Sequence, residues 1–273
     1  QFRDQIFYLD EAGGMKILIV PFVRYLERRF KPVIWTEKLY IYGIQTGVYR
    51  EHHGEIGSVI EEICDAQGYP KPLRNLKREL VDRMKDRKGA QADPFDKIFG
   101  IPAQNCILEF AADGSVTREQ YQPCHYVRCL ALAPYLADPP EFAEGEKFLR
   151  EISCGDPVLI LDLFRILGYC LLPGDRAQKY FVSHGIGGNG KSGLMEWVLR
   201  TLDQLAARIS SRELSAGNIA QRETSIANNL YRRLLVASET GAGSGELNDE
   251  LMKRLTGDAA VSLNTIYLGE EVH

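Results

Sequence analysis

The chain has 273 residues, enough for about two domains of ordinary size and for a core that needs no covalent staples. Hydrophobic residues make up 45% and charged residues 26%, which excludes a disordered chain. Thirty-three Lys+Arg against thirty-seven Asp+Glu leave a net charge of −4, which excludes a protein coated in basic charge but not a local basic patch.

The opening residue is Gln1 rather than a methionine, so a processed or excised piece is expected. The apolar run 17–23 is far short of the about 20 residues that span a bilayer, and no signal peptide precedes it. Residues 15–30 read as an amphipathic helix around Phe22, Leu26 and Phe30. Residues 33–50 alternate through Val33, Trp35, Leu39 and Ile41 to Gly47-Val48-Tyr49, the pattern of a β-hairpin. A helix is expected over 55–66, ending before Gly68, and a charged helix over 73–88. Between Lys71 and Lys88 there are eight Lys/Arg and three Asp/Glu. That stretch is either a nucleic-acid contact face, with Lys77, Arg78 and Lys85 as the contact candidates, or an ordinary solvated helix face.

Short β-segments follow around Ile107-Leu108-Glu109-Phe110, broken by Asp113-Gly114, and the Pro-rich stretch 138–141 is the best linker. Helices are expected over 144–152 and 157–172, the second with Leu159, Leu163, Ile166 and Leu167 on one stripe. The six cysteines form no C-x-x-C pair; Cys124 and Cys129 with His125 fall short of a four-ligand zinc site. Reduced, mostly buried thiols suit a reducing cytoplasm.

One motif is strongly specific. Gly185-Ile186-Gly187-Gly188-Asn189-Gly190-Lys191-Ser192 satisfies G-x-x-x-x-G-K-[ST] at every fixed position. At ordinary residue frequencies a chance match in such a chain is roughly a 1% event. Tyr180-Phe181-Val182 before it reads as a short buried strand, and Leu194, Met195, Val198, Leu199 and Leu202 after it have helical spacing. Glycines let successive N–H groups turn toward phosphates, and a helix N-terminus adds its dipole. Gly185, Gly187, Gly188, Asn189 and Gly190 would cradle the phosphates of a nucleotide, Lys191 would reach the β- and γ-phosphates, and Ser192 would ligate Mg²⁺. The bland alternative is a glycine-rich turn with an incidental lysine.

A phosphate loop needs an acid on a neighbouring strand. Leu234-Leu235-Val236-Ala237 is an apolar strand leading through Ser238 to Glu239, at the strand end where open α/β sheets place ligands. Glu239 is the candidate for activating water, through Mg²⁺ or directly. No N-K-x-D motif supports a guanine nucleotide.

These residues resemble a family. The loop 187–192, the strand ending Ala237-Ser238-Glu239-Thr240, and Leu251-Met252-Lys253-Arg254-Leu255-Thr256-Gly257-Asp258 follow the order of superfamily three helicases. The poxvirus-type and phage/plasmid primase–helicases are the most similar. Ile166-Leu167-Gly168-Tyr169-Cys170-Leu171-Leu172 is similar to the helix preceding the phosphate loop there, and 101–150 resembles the end of the domain before it. The resemblance implies an α/β P-loop core of the AAA+ type over 151–273, incomplete, preceded by an α+β domain over 1–150. It also implies a hexameric ring that couples ATP hydrolysis to movement on single-stranded or forked DNA, with a primase domain or partner and no membrane association. Lys253 matches a lysine-bearing element leading to a channel hairpin. Residues 247–255 read equally as a plain amphipathic helix stopped at Gly257, with the strand 260–264 after it. Where many members carry two adjacent acids, Ser238 precedes Glu239, and the family's polar sensor and arginine finger would fall beyond His273. The alternatives are another P-loop DNA-processing ATPase, or a DNA-binding and assembly module without turnover of its own.

Overall fold

The computed structural model describes residues 6–70, 72–89, 94–173, 178–214, 226, 229, 231–238, 247–257, 262–265 and 269–272. The protein is mixed α/β, with sheets of two or three strands. It divides into two compact units, Gln1–Phe95 with Gln122–Arg128, and Asp96–Tyr121 with Cys129–His273.

In the first unit β1 (Phe7–Leu9) pairs antiparallel with β2 (Met15–Ile17). The Asp10 carboxylate closes the turn by accepting the N–H groups of Ala12 and Gly14 at 3.1 and 2.7 Å. Residues 15–17, expected in a helix, are therefore strand, and α1 (Ile19–Phe30) starts later. Pro21 falls in the first turn, where its missing N–H costs nothing. α1 buries Phe22, Val23, Leu26 and Phe30 and ends at Lys31, ahead of Pro32. α2 (Glu55–Ala66) buries Ile56, Ile60, Ile63 and Cys64, and Gly68 follows with φ 68°, a left-handed conformation suited to a residue without Cβ. α3 (Arg74–Lys88) buries Leu80 and Met84 and packs against both α1 and α2.

The expected hairpin over 33–50 is a three-stranded antiparallel sheet, β3 (Val33–Trp35), β4 (Lys38–Tyr42) and β5 (Tyr49–Glu51). Its first turn is only Thr36-Glu37, both with positive φ (46° and 60°). Two-residue turns demand that geometry and usually signal it with Asn or Gly; here neither is present. Alternation along β4 then sorts the side chains between two cores. Leu39 and Ile41 join Ile34 and the helices, whereas Tyr40 and Tyr42 join Val33, Tyr49 and Phe95 on the opposite face. Residues 122–128 complete that second layer. The Val127 carbonyl accepts the Tyr49 N–H at 2.6 Å, Tyr126 stacks on Tyr49 at 5.7 Å, and the Arg128 guanidinium lies over Trp35 and Phe95 at 4.6 and 4.7 Å.

In the second unit β6 (Gly100–Pro102), β7 (Ile107–Phe110) and β8 (Val116–Glu119) form an antiparallel sheet, with Asp113-Gly114 in the β7–β8 turn. The Pro139-Pro140 stretch is exposed, irregular backbone. α4 (Ala143–Ile152) and α5 (Pro157–Cys170) follow. α5 starts on an Asp156 cap that accepts the N–H groups of Val158 and Leu159, with Pro157 at its first position. Of its expected stripe, Leu163 and Leu167 pack on the core but Leu159 is exposed, as are Val158, Leu161 and Phe164. The core of this unit joins Leu149 of α4 to Leu194, Val198 and Leu202 of α6 (Lys191–Leu202), and to Leu205 and Ala206. β9 (Ala206–Ser210) and β10 (Leu234–Ser238) form a parallel pair. α7 (Asp249–Gly257) and an antiparallel hairpin, β11 (Ser262–Thr265) with β12 (Gly269–Val272), end the chain. Among the described residues no helix is long and apolar enough to cross a membrane.

Arg233, just before β10, donates from one guanidinium nitrogen to the carbonyls of Gly100 and Leu171, tying β6, the end of α5 and β10 together. Burial lowers its pKa to about 10. Replacing it by Met strands both carbonyls, and Arg233→Met should lower stability by about 2–4 kcal/mol in urea denaturation. Arg200→Ala, which breaks only an exposed pair to Glu196, should change it by less than about 0.5 kcal/mol. In the first unit Leu80→Ala leaves a hole beneath three helices and should cost about 2–5 kcal/mol by the same measurement.

Candidate nucleotide-binding site

The glycine motif ends where α6 begins. Lys191 is the first residue of the helix, and Gly190 caps it with φ 80°. No side chain caps this N-terminus and no acid occupies its first turn, so its free N–H groups and positive dipole end face outward unopposed. Gly188 also has positive φ, 79°. A Cβ on Gly190 would strike Ile152 of α4, and one on Gly185 would displace the Asn189 amide.

Lys191 lies across its own loop. Its Nζ donates to the carbonyls of Gly185 and Ile186 at 2.9 and 3.0 Å and to Asn189 Oδ1 at 2.6 Å. The residue is half-buried, and its ammonium is held by three oxygens. The loop therefore holds a cation beside the N-terminus of α6.

Burial of the opposite face holds the helix in place. Leu194, Val198 and Leu202 are buried, and each such side chain stabilises by about 1.5–3 kcal/mol. Phe148 and Ile152 of α4 back Gly190 and Gly193, and Trp197 stacks on Phe142 at 5.5 Å. A short 3₁₀ turn, Asp203–Leu205, returns the chain into β9. Glu196, mid-helix, bonds Arg208, mid-strand, at 2.8 Å, so α6 and β9 run side by side in opposite directions. The glycine loop accordingly lies at the end where β9 and β10 finish, at Ser210 and Ser238.

Ser192 is the exposed second residue of α6. Glu239 follows β10 directly and lies outside the described residues. Among the described residues no group of three or more His, Cys, Asp or Glu is placed to hold a metal ion. Cys124 and Cys154 are exposed, and Cys64, Cys106, Cys129 and Cys170 are buried. A cavity of about 400 Å³ runs along α4, lined by Glu146, Lys147 and Arg150 among others; none of the glycine-loop residues lines it.

One expectation is corrected. Tyr180-Phe181-Val182 is not a buried strand: it joins no sheet, and the three side chains are 56, 49 and 74% exposed. A three-residue apolar run carries strand propensity, but a strand also needs a partner, and among the described residues the small parallel sheet consists of β9 and β10.

The other candidates lie on other helices. Lys253 is exposed on α7, whose N-terminus is closed by the Asn248 side chain accepting the Leu251 N–H at 3.0 Å. Lys77 is half-buried and pairs with Glu61 of α2 at 2.5 Å; Arg78 is exposed and Lys85 half-buried. The backing role of Ile152 and Phe148 and the Asn189–Lys191 bond had no signature in the sequence, because both depend on where α4 and the loop come to rest.

No family model and no curated protein matches this chain.

The glycine geometry gives a stability test. Gly190→Ala combines left-handed φ with a collision and should lower the thermal midpoint, at a cost of about 1–2 kcal/mol. Gly187→Ala places its Cβ in open space and should stay within about 0.5 kcal/mol of the parent.

Proposed function

We propose that the chain binds ATP through residues 185–192 and supplies the P-loop ATPase part of a superfamily three-type DNA helicase, of the kind carried by viruses, phages and mobile elements. The observation that carries this reading is Lys191, held across a glycine loop at the uncapped N-terminus of α6.

In this reading the N–H groups of the loop and of the first turn of α6 bind the β-phosphate. Lys191 exchanges the oxygens of Gly185, Ile186 and Asn189 for those of the β- and γ-phosphates, where it offsets the charge that develops in phosphoryl transfer. Gly190 must remain glycine so that the backbone can approach with Ile152 behind it. Mg²⁺ would be held by the Ser192 hydroxyl and would neutralise charge between the β- and γ-phosphates. Glu239, at the end of β10, orients the attacking water. Lys253 on α7 is the candidate for gripping DNA in a ring channel. The AAA+ assignment, the hexamer, a primase domain or partner, and the cytoplasmic setting belong to the same proposal and rest on the motif order 185–192, 234–240 and 251–258.

The exposed Tyr180-Phe181-Val182 and the open apolar face of α5 favour a second reading. Here the chain is a nucleotide-binding assembly module, and association with further copies completes its catalytic site.

Lys191→Ala tests both readings. Fluorescent ATP-analogue binding should weaken at least about tenfold, and DNA-stimulated turnover should fall about 10²–10³-fold. Unchanged turnover would exclude the ATPase assignment. Nucleotide binding without turnover in the parent chain, together with ATP-dependent growth in sedimentation coefficient, would favour the assembly module. Separation of a forked DNA substrate distinguishes a helicase from another DNA-processing ATPase.

A further inference from the structure

The basic helix belongs to the first unit and the glycine loop to the second, and the charges of the helix are sorted around it. At 100° per residue, Lys77, Lys88, Arg74, Lys85 and Arg78 fall within an arc of roughly 100° that contains no acid. Glu79, Asp82 and Asp86 fall on a neighbouring arc of roughly 60°. The buried side of α3 is occupied by Leu80 and Met84, and Val81, which falls within the arc, also packs on the core; the cationic arc runs along one flank, beside α2, which Lys77 touches through Glu61.

Helix stability does not account for this arrangement. Lys85 and Lys88 sit near the C-terminus, where the dipole favours cations, but Arg74 and Arg78 occupy the first turns, where it disfavours them. No acid lies in the first turn to compensate. Arg74, Arg78, Lys85 and Lys88 make no ion pair among the described residues, whereas Arg83 and Arg87, outside the arc, are paired with Glu79 and Glu27. The four unpaired cations extend over 14 residue steps, about 21 Å of helix. They do so in a chain whose net charge is −4.

We infer that this flank of α3 binds the phosphate backbone of a single nucleic-acid strand. A line of cations about 21 Å long spans several consecutive phosphates of one strand. A duplex fits less well. Its major groove alone is about 12 Å wide, matching a helix diameter of about 10–12 Å, so a duplex laid on the cations also covers the acidic arc. The contact is through phosphates and carries no base specificity.

The test is the salt dependence of binding by the 273-residue chain to a fluorescein-labelled oligodeoxythymidylate of about 20 nucleotides, without ATP, between about 50 and 200 mM salt. Each phosphate neutralised on a single strand contributes about 0.7 to the slope of log K against log salt. The combined Arg74→Gln, Arg78→Gln, Lys85→Gln and Lys88→Gln variant should reduce the slope by about 3 and weaken binding at least about tenfold. The double variant Arg74→Gln, Arg78→Gln changes two exposed side chains that the helix dipole disfavours; it should fold at least as well as the parent and reduce the slope by about 1.4. Lys191→Ala should leave this binding unchanged, so failure here and failure of the nucleotide reading are distinguishable. An unchanged slope in both arginine-containing variants, or a duplex of the same length bound as tightly as the single strand, would overturn the inference.

Discussion

Burial of Leu194, Val198 and Leu202 is the interaction on which the candidate site depends. It fixes one face of α6 against Leu149, Leu205 and Ala206, and so fixes where the helix begins. The start coincides with Lys191, and Gly188 and Gly190 before it take positive φ, with no side chain capping the helix. Ile152 then makes Gly190 obligatory from behind, while Asn189 and two loop carbonyls hold the lysine from in front. A modest apolar contact thus sets the position of a cation and of several free N–H groups, the parts phosphate binding requires.

The first unit rests on a different device. β4 is buried on both faces, so its alternation serves two cores, Leu39 and Ile41 under the helices and Tyr40 and Tyr42 among aromatic rings. That second layer requires residues 122–128, remote in sequence, to return and lay Tyr126 and Arg128 over it. The three helices are consequently held on their inner side, and α3 keeps Arg74, Arg78 and Lys88 exposed on one flank.

Much of this was legible in the residues. α2 announces itself by apolar spacing, with Gly68 placed to stop it, α3 by its run of charge, and α6 by the glycine motif running into Leu194 and Val198. Other elements were not. The Thr36-Glu37 turn carries no Asn or Gly, so an alternating stretch reads as one hairpin where three strands form. Met15–Ile17 looks like helix until Asp10 is seen to close a turn that pairs it with Phe7–Leu9. Tyr180-Phe181-Val182 has the composition of a buried strand and lies in solvent, because composition supplies no partner. The charge of 71–88 was countable, but the pairing of Lys77 with Glu61 depends on how α2 and α3 pack.

By itself the sequence determined the local features of this protein: a glycine loop leading into a helix with Lys191 at its first position, helices closed by glycine or proline, and a strongly basic segment. These follow from dihedral preferences and short-range periodicity, which act over a few residues. Tertiary structure alone decided which carbonyls hold Lys191, what stands behind Gly190, which cations of α3 stay unpaired, and which apolar runs find a partner. Each of these depends on groups far apart in the chain meeting at hydrogen-bond or van der Waals distance, and only the packed fold determines those meetings.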